Sequence, residues 1–252
     1  MNRSAEDAPQ TDDGLADARY AAMRWNTPLS EAHARLLLSR LELPACRSVL
    51  DLGCGWGELL IRAVAATGDG AVTGTGVDTY GPDLERGRRT AAELGLEDRV
   101  RFVEASAVDW SEPADRVLCI GATHAWGATK AALDALVQAV KPGGLLLFGD
   151  GFWEREPGTR AVEIFGEEVV PLADLVRLAH SAGWQVRHLS EADQSEWDDF
   201  ESTWRLGRYR WLAEHPDAPG SAKLRDELEQ GAQEYLDVYR GVLGFCYLVL
   251  GR

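Results

Sequence analysis

Three glycines at alternate positions, Gly53, Gly55 and Gly57, follow the apolar run Val49-Leu50-Asp51-Leu52, and a second run ends further on in Thr75-Gly76-Val77-Asp78. Glycine has no side chain and tolerates positive φ, so such a loop can turn sharply at a strand end and bring its backbone close to a ligand. The carboxylate of Asp78 can accept two hydrogen bonds from vicinal ribose hydroxyls. Together these residue types read as a nucleoside-binding site. A dinucleotide fingerprint needs glycine at the sixth position of GxGxxG, where Glu58 stands. A carboxylate beside a helix N-terminus also repels phosphate, which weakens a pyrophosphate reading.

The arrangement resembles motifs I and II of the class I S-adenosylmethionine-dependent methyltransferases, an acidic residue, GxGxG, and an acidic residue after the next strand. The resemblance implies that Asp51, Gly53, Gly55 and Gly57 hold the methionine and ribose parts of S-adenosylmethionine, and that Asp78 binds the ribose hydroxyls. Cys54 counts with this loop by position, with packing as the simpler role for its thiol. Arg99 to Ala107 is similar to the family's third strand and its adenine-binding end, and Lys141-Pro142-Gly143-Gly144 to its turn into the fifth strand. Many members carry an aspartate where Ser106 stands. A hydroxyl or a backbone carbonyl at Ser106 and Ala107 would then meet the adenine amino group. The segments Gly121 to Gly127 and Gly151 to Arg155 also resemble a bacterial subgroup of the family, a resemblance that names no substrate.

Methyl transfer to such a cofactor's acceptor is a displacement at a carbon activated by positive sulfur, so positioning carries most of the catalysis. A base is needed where the accepting atom bears a proton. His124, just past the fourth strand, is the candidate base; alternatively its ring bonds a loop backbone and shapes the pocket. Trp126 in the same loop, and Asp150, Trp153 and Glu154 after the fifth strand, are candidate substrate-binding residues. Carboxylates beside aromatic faces suit a cationic or methylated amine, while ordinary loop packing with solvated acids is the simpler account. The leading expectation is a methyltransferase acting on O, N, S or C of a small molecule. The alternatives are a non-methylating reaction of the same cofactor and a non-catalytic cofactor-binding subunit.

The elements that must position these residues alternate short apolar runs with amphipathic stretches, the pattern of a Rossmann-like α/β fold. Strands are expected near 48–53, 71–77, 99–104, 116–121 and 144–149, with helices at 83–94 and 128–140 among those between them. A helix over 171–182 leads to a sixth strand near 184–189, and 244–250 reads as an antiparallel seventh. Helices on both faces would cover this seven-stranded, mostly parallel sheet. Ser30 caps a helix with Ala34, Leu37, Leu38 and Leu41 on its apolar face, ended by Pro44. Between the last two strands lies far more chain than a hairpin needs. Trp197, Phe200, Trp204 and Trp211 mark one helical face there, and Leu224, Leu228, Ala232, Tyr235, Tyr239 and Leu243 a second. The expected organisation is a loose acidic segment 1–18, a core of 19–191 and 243–252, and a helical cap of 192–242.

The 252 residues carry a formal net charge of −15 without a Lys/Arg cluster. That balance argues against nucleic acid and anionic membrane surfaces as partners, and leaves small neutral or cationic substrates open. Four cysteines, Cys46, Cys54, Cys119 and Cys246, show neither metal-ligand nor disulfide-framework spacing. No metal is expected, and the expected compartment is the cytoplasm. Homo-oligomerisation is left open.

Overall fold

The computed structural model describes residues 15–68 and 70–252. Seven strands, β1 (Ser48–Leu52), β2 (Thr73–Asp78), β3 (Val100–Glu104), β4 (Ala114–Ile120), β5 (Val140–Trp153), β6 (Gln185–Glu191) and β7 (Leu243–Gly251), form one sheet in the order β3-β2-β1-β4-β5-β7-β6. All pairings are parallel except those of β7 with β5 and β6. The strand order reverses between β1 and β4, the point where open α/β sheets leave a crevice at their carboxyl ends. The helices are α1 (Leu15–Ala18), α2 (Glu31–Ser39), α3 (Glu58–Ala65), α4 (Gly81–Glu93), α5 (Thr129–Ala139), α6 (Thr159–Phe165), α7 (Leu172–Ser181), α8 (Gln194–Glu214) and α9 (Ser221–Glu234).

Two cores flank the sheet. Leu37, Leu60 and Leu84 of α2, α3 and α4 are buried in one, and Leu133, Leu136 and Leu175 of α5 and α7 in the other. Strands buried on both faces read as continuous apolar runs, which is why β4 and β7 were legible without alternation. The fifth strand is longer than the expected 144–149 at both ends: Lys141 to Gly144 form an excursion within it, and Asp150 to Trp153, expected after the strand, continue it in register with β7. Its register shifts between Ala114↔Val140 and Arg116↔Leu145, with Gly143 at φ 74.

Ser30 caps α2 as expected, accepting from the His33 N–H at 3.1 Å. The helix ends at Ser39, before Pro44, which lies instead in a 3-10 turn, Leu43–Ala45. Of the segment expected to be loose, 1–14 lie outside the described residues and Leu15–Ala18 form a helical turn. Ala18 is buried with Trp211, Leu212, Leu224 and Leu228, so apolar contact with α8 and α9 supplies the order its composition does not. A Cβ on Gly207 would lie 2.0 Å from the Ala18 carbonyl oxygen, so glycine permits this close approach.

The chain between β6 and β7 folds as α8 and α9 followed by a π-helical turn, Tyr235–Tyr239. The second expected helix is thus shorter than its apolar spacing suggested, and Leu243 opens β7. Since β6 ends and β7 begins at the carboxyl edge of the parallel strands, this helical insertion rises from the ligand end of the sheet. It is fixed at its base. Asp193 and Glu196 form a reciprocal capping box, Glu196 accepts from Ser30 N–H at 2.8 Å, and His33 lies 3.1 Å from Glu196 and 2.7 Å from Ser190 Oγ. One helix of the core, one edge strand and the insertion are thereby tied together.

Candidate functional site

The end of β1 carries the glycine loop. Gly53, Gly55 and Gly57 adopt φ of 74°, 53° and 65°, a region that L side chains rarely occupy. Space demands glycine at two of them. A Cβ on Gly53 would lie 2.3 Å from Ala122 Cβ, and one on Gly57 2.5 Å from the Phe102 ring. The first contact has a functional consequence, because it brings the glycine loop against the loop that carries His124. Gly57 then opens α3 as its left-handed cap.

Asp78 ends β2 beside this loop. Its carboxylate accepts from Gly55 N–H at 2.9 Å and from Tyr80 N–H at 3.0 Å, one bond to each oxygen. Asp51 is buried, and no hydrogen-bond donor among the described residues reaches its carboxyl group. Burial, with repulsion from Asp78, pushes its pKa up to about 8. Cys54 packs beneath Gly76, whose added Cβ would lie 2.9 Å from its Sγ, and burial holds this thiol well above its ordinary range. That environment suits packing and suppresses thiolate chemistry. Ser106 and Ala107 lie at the end of β3, joined to β2 by Ala105 N–H on Asp78 O at 2.9 Å. The Ser106 hydroxyl caps a short 3-10 turn through Val108 N–H at 3.3 Å and retains its own proton for donation.

The segment before α2 is held against α4 and the glycine loop. Arg86 on α4 donates to Tyr20 O at 2.9 Å and Met23 O at 2.5 Å while its guanidinium lies 4.1 Å from the Trp56 ring centroid. Trp56 in the glycine loop donates in turn to Arg24 O at 2.9 Å.

His124 sits in a 3-10 turn, Thr123–Trp126, at the end of β4 and on the exposed side of the loop. Partial burial draws its pKa below 6.5, and a hydrogen bond with Gly121 acts the other way. Trp126 is half-buried against the core beneath α5. Asp150 accepts from Thr129 Oγ1 at 2.7 Å and Gly151 N–H at 2.9 Å, and also bonds Thr123. Burial nonetheless raises its pKa. Its oxygens therefore hold the His124 loop and the start of α5 in place, and do not stand free to meet a cationic amine. Trp153 is buried edge-on to Phe165, with ring centroids 6.1 Å apart, so it is core. Glu154 is exposed at the foot of the insertion, its N–H on Val242 O at 2.9 Å.

The site thus gathers Asp51, Gly53, Cys54, Gly55, Gly57, Asp78, Ser106, Ala107 and the His124 loop, and sets Trp153 and Glu154 apart. Sequence reasoning missed Thr123 and Thr129, which gave no signal beyond following β4, and Asp83 on α4, whose Oδ2 would lie 3.8 Å from a Cβ on Gly55. An acid in the first turn of a helix reads as an ordinary dipole partner, which masks the position of Asp83 across the loop. The opposite edge of the sheet holds an open cleft of about 370 Å³ lined by Ser48, Thr73, Arg99, Arg101, Trp110 and Glu112. None of the expected site residues lies there.

A glycine loop and acidic strand end beside the switch point of a 3-2-1-4-5-7-6 sheet define a class I S-adenosylmethionine-dependent methyltransferase, and the chain belongs to that family. A family model described as a methyltransferase domain matches residues 49–144. The uncharacterized protein YjhP of Escherichia coli is 31% identical over 234 residues, which are 90% of this chain and 93% of that one. Its crystal structure aligns with a TM-score of 0.84 at 30% identity, covering 94% and 99% of the two chains. An S-adenosylmethionine-dependent methyltransferase from Geobacter sulfurreducens in complex with S-adenosyl-L-homocysteine aligns at 0.85, with 27% identity over 97% of this chain and 98% of its own. A corresponding complex from Thiobacillus denitrificans aligns at 0.83, with 28% identity over 98% and 100%. The cofactor is S-adenosylmethionine. Unpartnered carboxyl groups beside a side-chain-free loop fit it, since it brings hydroxyl donors and positive charge.

Proposed function

We propose that the enzyme methylates a small-molecule acceptor seated between the glycine loop and the helical insertion, with His124 as base where the accepting atom bears a proton. The contact of Gly53 with Ala122 carries this reading, because it sets the His124 loop against the loop assigned to the cofactor. Asp51, Gly53, Gly55, Gly57 and Asp78 would hold S-adenosylmethionine, with Cys54 packed behind them and Ser106 and Ala107 at the adenine end. The bound cofactor supplies a methyl group on positive sulfur. Around it, the chain's own residues orient the acceptor, exclude water and take up a proton. A pKa drawn below 6.5 leaves the His124 imidazole neutral at pH 7 and able to accept. Asp150 positions that base through Thr123, and residues 192–242 act as the cap over the acceptor.

The net charge of −15 favours a neutral or cationic small molecule over nucleic acid or an anionic membrane surface. Among the described residues no helix is long and apolar enough to cross a membrane. The four cysteines are free thiols, which fits a reducing cytoplasm.

The test is turnover of an acceptor panel read by product mass, methylation adding about 14 Da. His124→Ala should then lower kcat by roughly 10² to 10⁴ while leaving affinity for S-adenosylhomocysteine unchanged. In the wild type, kcat/KM should show an acid limb with its midpoint below 6.5, absent from the variant. A loss confined to KM with the limb intact would reduce His124 to a shaping role.

A further inference from the structure

Asp83 lies in the first turn of α4, directly across the glycine loop. A Cβ on Gly55 would meet one heavy atom within contact range, Asp83 Oδ2 at 3.8 Å. The amide of the same glycine donates to Asp78 Oδ2 at 2.9 Å. Gly55 is therefore flanked by two carboxylates, one at its N–H and one over the face a side chain would fill. The two are differently engaged. Asp78 already accepts one backbone N–H on each oxygen, whereas no donor among the described residues bonds Asp83. Arg86 and Arg19 act on it only through space, and burial with repulsion from Asp78 lifts its pKa to about 6. Close by, the buried Asp51 is likewise without a donor. A half-buried carboxylate with no hydrogen bond is costly, and a ligand carrying two adjacent hydroxyls would supply the missing donor while bridging the pair.

We propose that Asp83 is a second ribose-binding residue, and that Asp78 and Asp83 each take one hydroxyl of the cofactor's vicinal diol across Gly55. The inference rests on the assignment of Asp78 to the ribose. It follows that the site selects a ligand with both hydroxyls.

The experiment measures binding by calorimetry to S-adenosylhomocysteine and to methylthioadenosine, which keeps the ribose and adenine but lacks the amino acid. Asp83→Ala, and the isosteric Asp83→Asn in case alanine impairs folding, should weaken both ligands by about the same factor, roughly tenfold. The 2′-deoxy and 3′-deoxy forms of methylthioadenosine then assign the bond. One of them should bind wild type and Asp83→Asn equally, because the hydroxyl that Asp83 holds is already gone. Unchanged affinity for both parent ligands would overturn the proposal, as would a loss for S-adenosylhomocysteine alone, which would place Asp83 on the ammonium group. Asp78→Ala run in parallel separates the two readings. If it too leaves affinity intact, the ribose assignment itself fails; if it alone weakens binding, only the role of Asp83 fails.

Discussion

In the insertion, each buried or half-buried acid meets a cation or several donors; around the glycine loop, Asp51 and Asp83 meet none. Burial opposes ionisation of Glu196, yet hydrogen bonds from His33, Ser30 and Asp193 hold its pKa down at about 2. Asp198 is held at about 2 by Arg240, with Tyr235 and Gln194 adding hydrogen bonds. Glu201 bonds Arg205 and the Tyr239 hydroxyl, each at 2.8 Å. At the loop the direction reverses, with Asp51 at about 8 and Asp83 at about 6. Buried and half-buried acids thus serve two purposes. Where the chain supplies the donors, a carboxylate is scaffold. Where it withholds them, the ligand must bring them, and the free protein carries the strain of repulsion until it does.

The largest effect that could break this contrast lies in the insertion. Glu201→Ala leaves the Arg205 guanidinium buried without its partner, and breaking such a pair costs roughly 3 to 5 kcal/mol. Urea unfolding should show that loss, with affinity for S-adenosylhomocysteine little changed in the folded fraction. A loss below about 1 kcal/mol would mean that the pair behaves as a surface bridge, and the contrast would lose its structural half.

Next in size is Asp78→Ala, which removes a charged acceptor from the cofactor site. S-adenosylhomocysteine should bind more weakly by roughly 1.5 to 3 kcal/mol, the range for one hydrogen bond to a charged group. Stability should fall by less. The bonds to Gly55 and Tyr80 are lost, but so is the repulsion that Asp78 exerts on Asp51 and Asp83. Calorimetry and unfolding on the same sample check both halves. Equal losses in binding and stability would mark Asp78 as scaffold.

These two regions were not equally legible in the sequence. The glycine loop could be read residue by residue, because positive φ and close approach restrict the residue type, and Gly53, Gly55 and Gly57 satisfy that restriction. The strands were legible because burial on both faces leaves apolar runs, and the insertion because Trp197, Phe200 and Trp211 repeat at helical spacing and are buried. What stayed hidden depends on partners distant in the chain. Nothing local says that Glu196 will meet His33, 163 residues away. Asp150 and Glu154, four residues apart, looked alike as acids after a strand, yet one is locked by Thr129 and the other is exposed. Trp153 read as a substrate contact because an aromatic after β5 is placed near the site; the register of β5 with β7, Trp153↔Leu243, turns it into the core.

The smallest effect is a slope, and it distinguishes the regions by sign. Asp51 has a folded pKa of about 8 against an ordinary value of about 3.9 in an unfolded chain. Between those values the folded protein holds a proton that the unfolded chain has released, so the contribution of Asp51 to stability is full below about pH 4 and lost as pH rises through 8. Glu196 runs the other way. Its folded pKa of about 2 makes its contribution complete above the ordinary range of a glutamate and lost only as pH falls toward 2. From pH 6 to 8, therefore, the insertion contributes a constant term while the loop contributes a falling one, of up to about 1.4 kcal/mol per pH unit for one proton. Asp51→Asn should flatten the stability profile of the cofactor-free protein over that range. Histidine titrations occur in both proteins and cancel in the difference, which urea unfolding at several pH values measures directly. An unchanged slope would mean that Asp51 is ionised at neutral pH with water as its donor, and the loop would then differ from the insertion in the source of its hydrogen bonds and not in their absence.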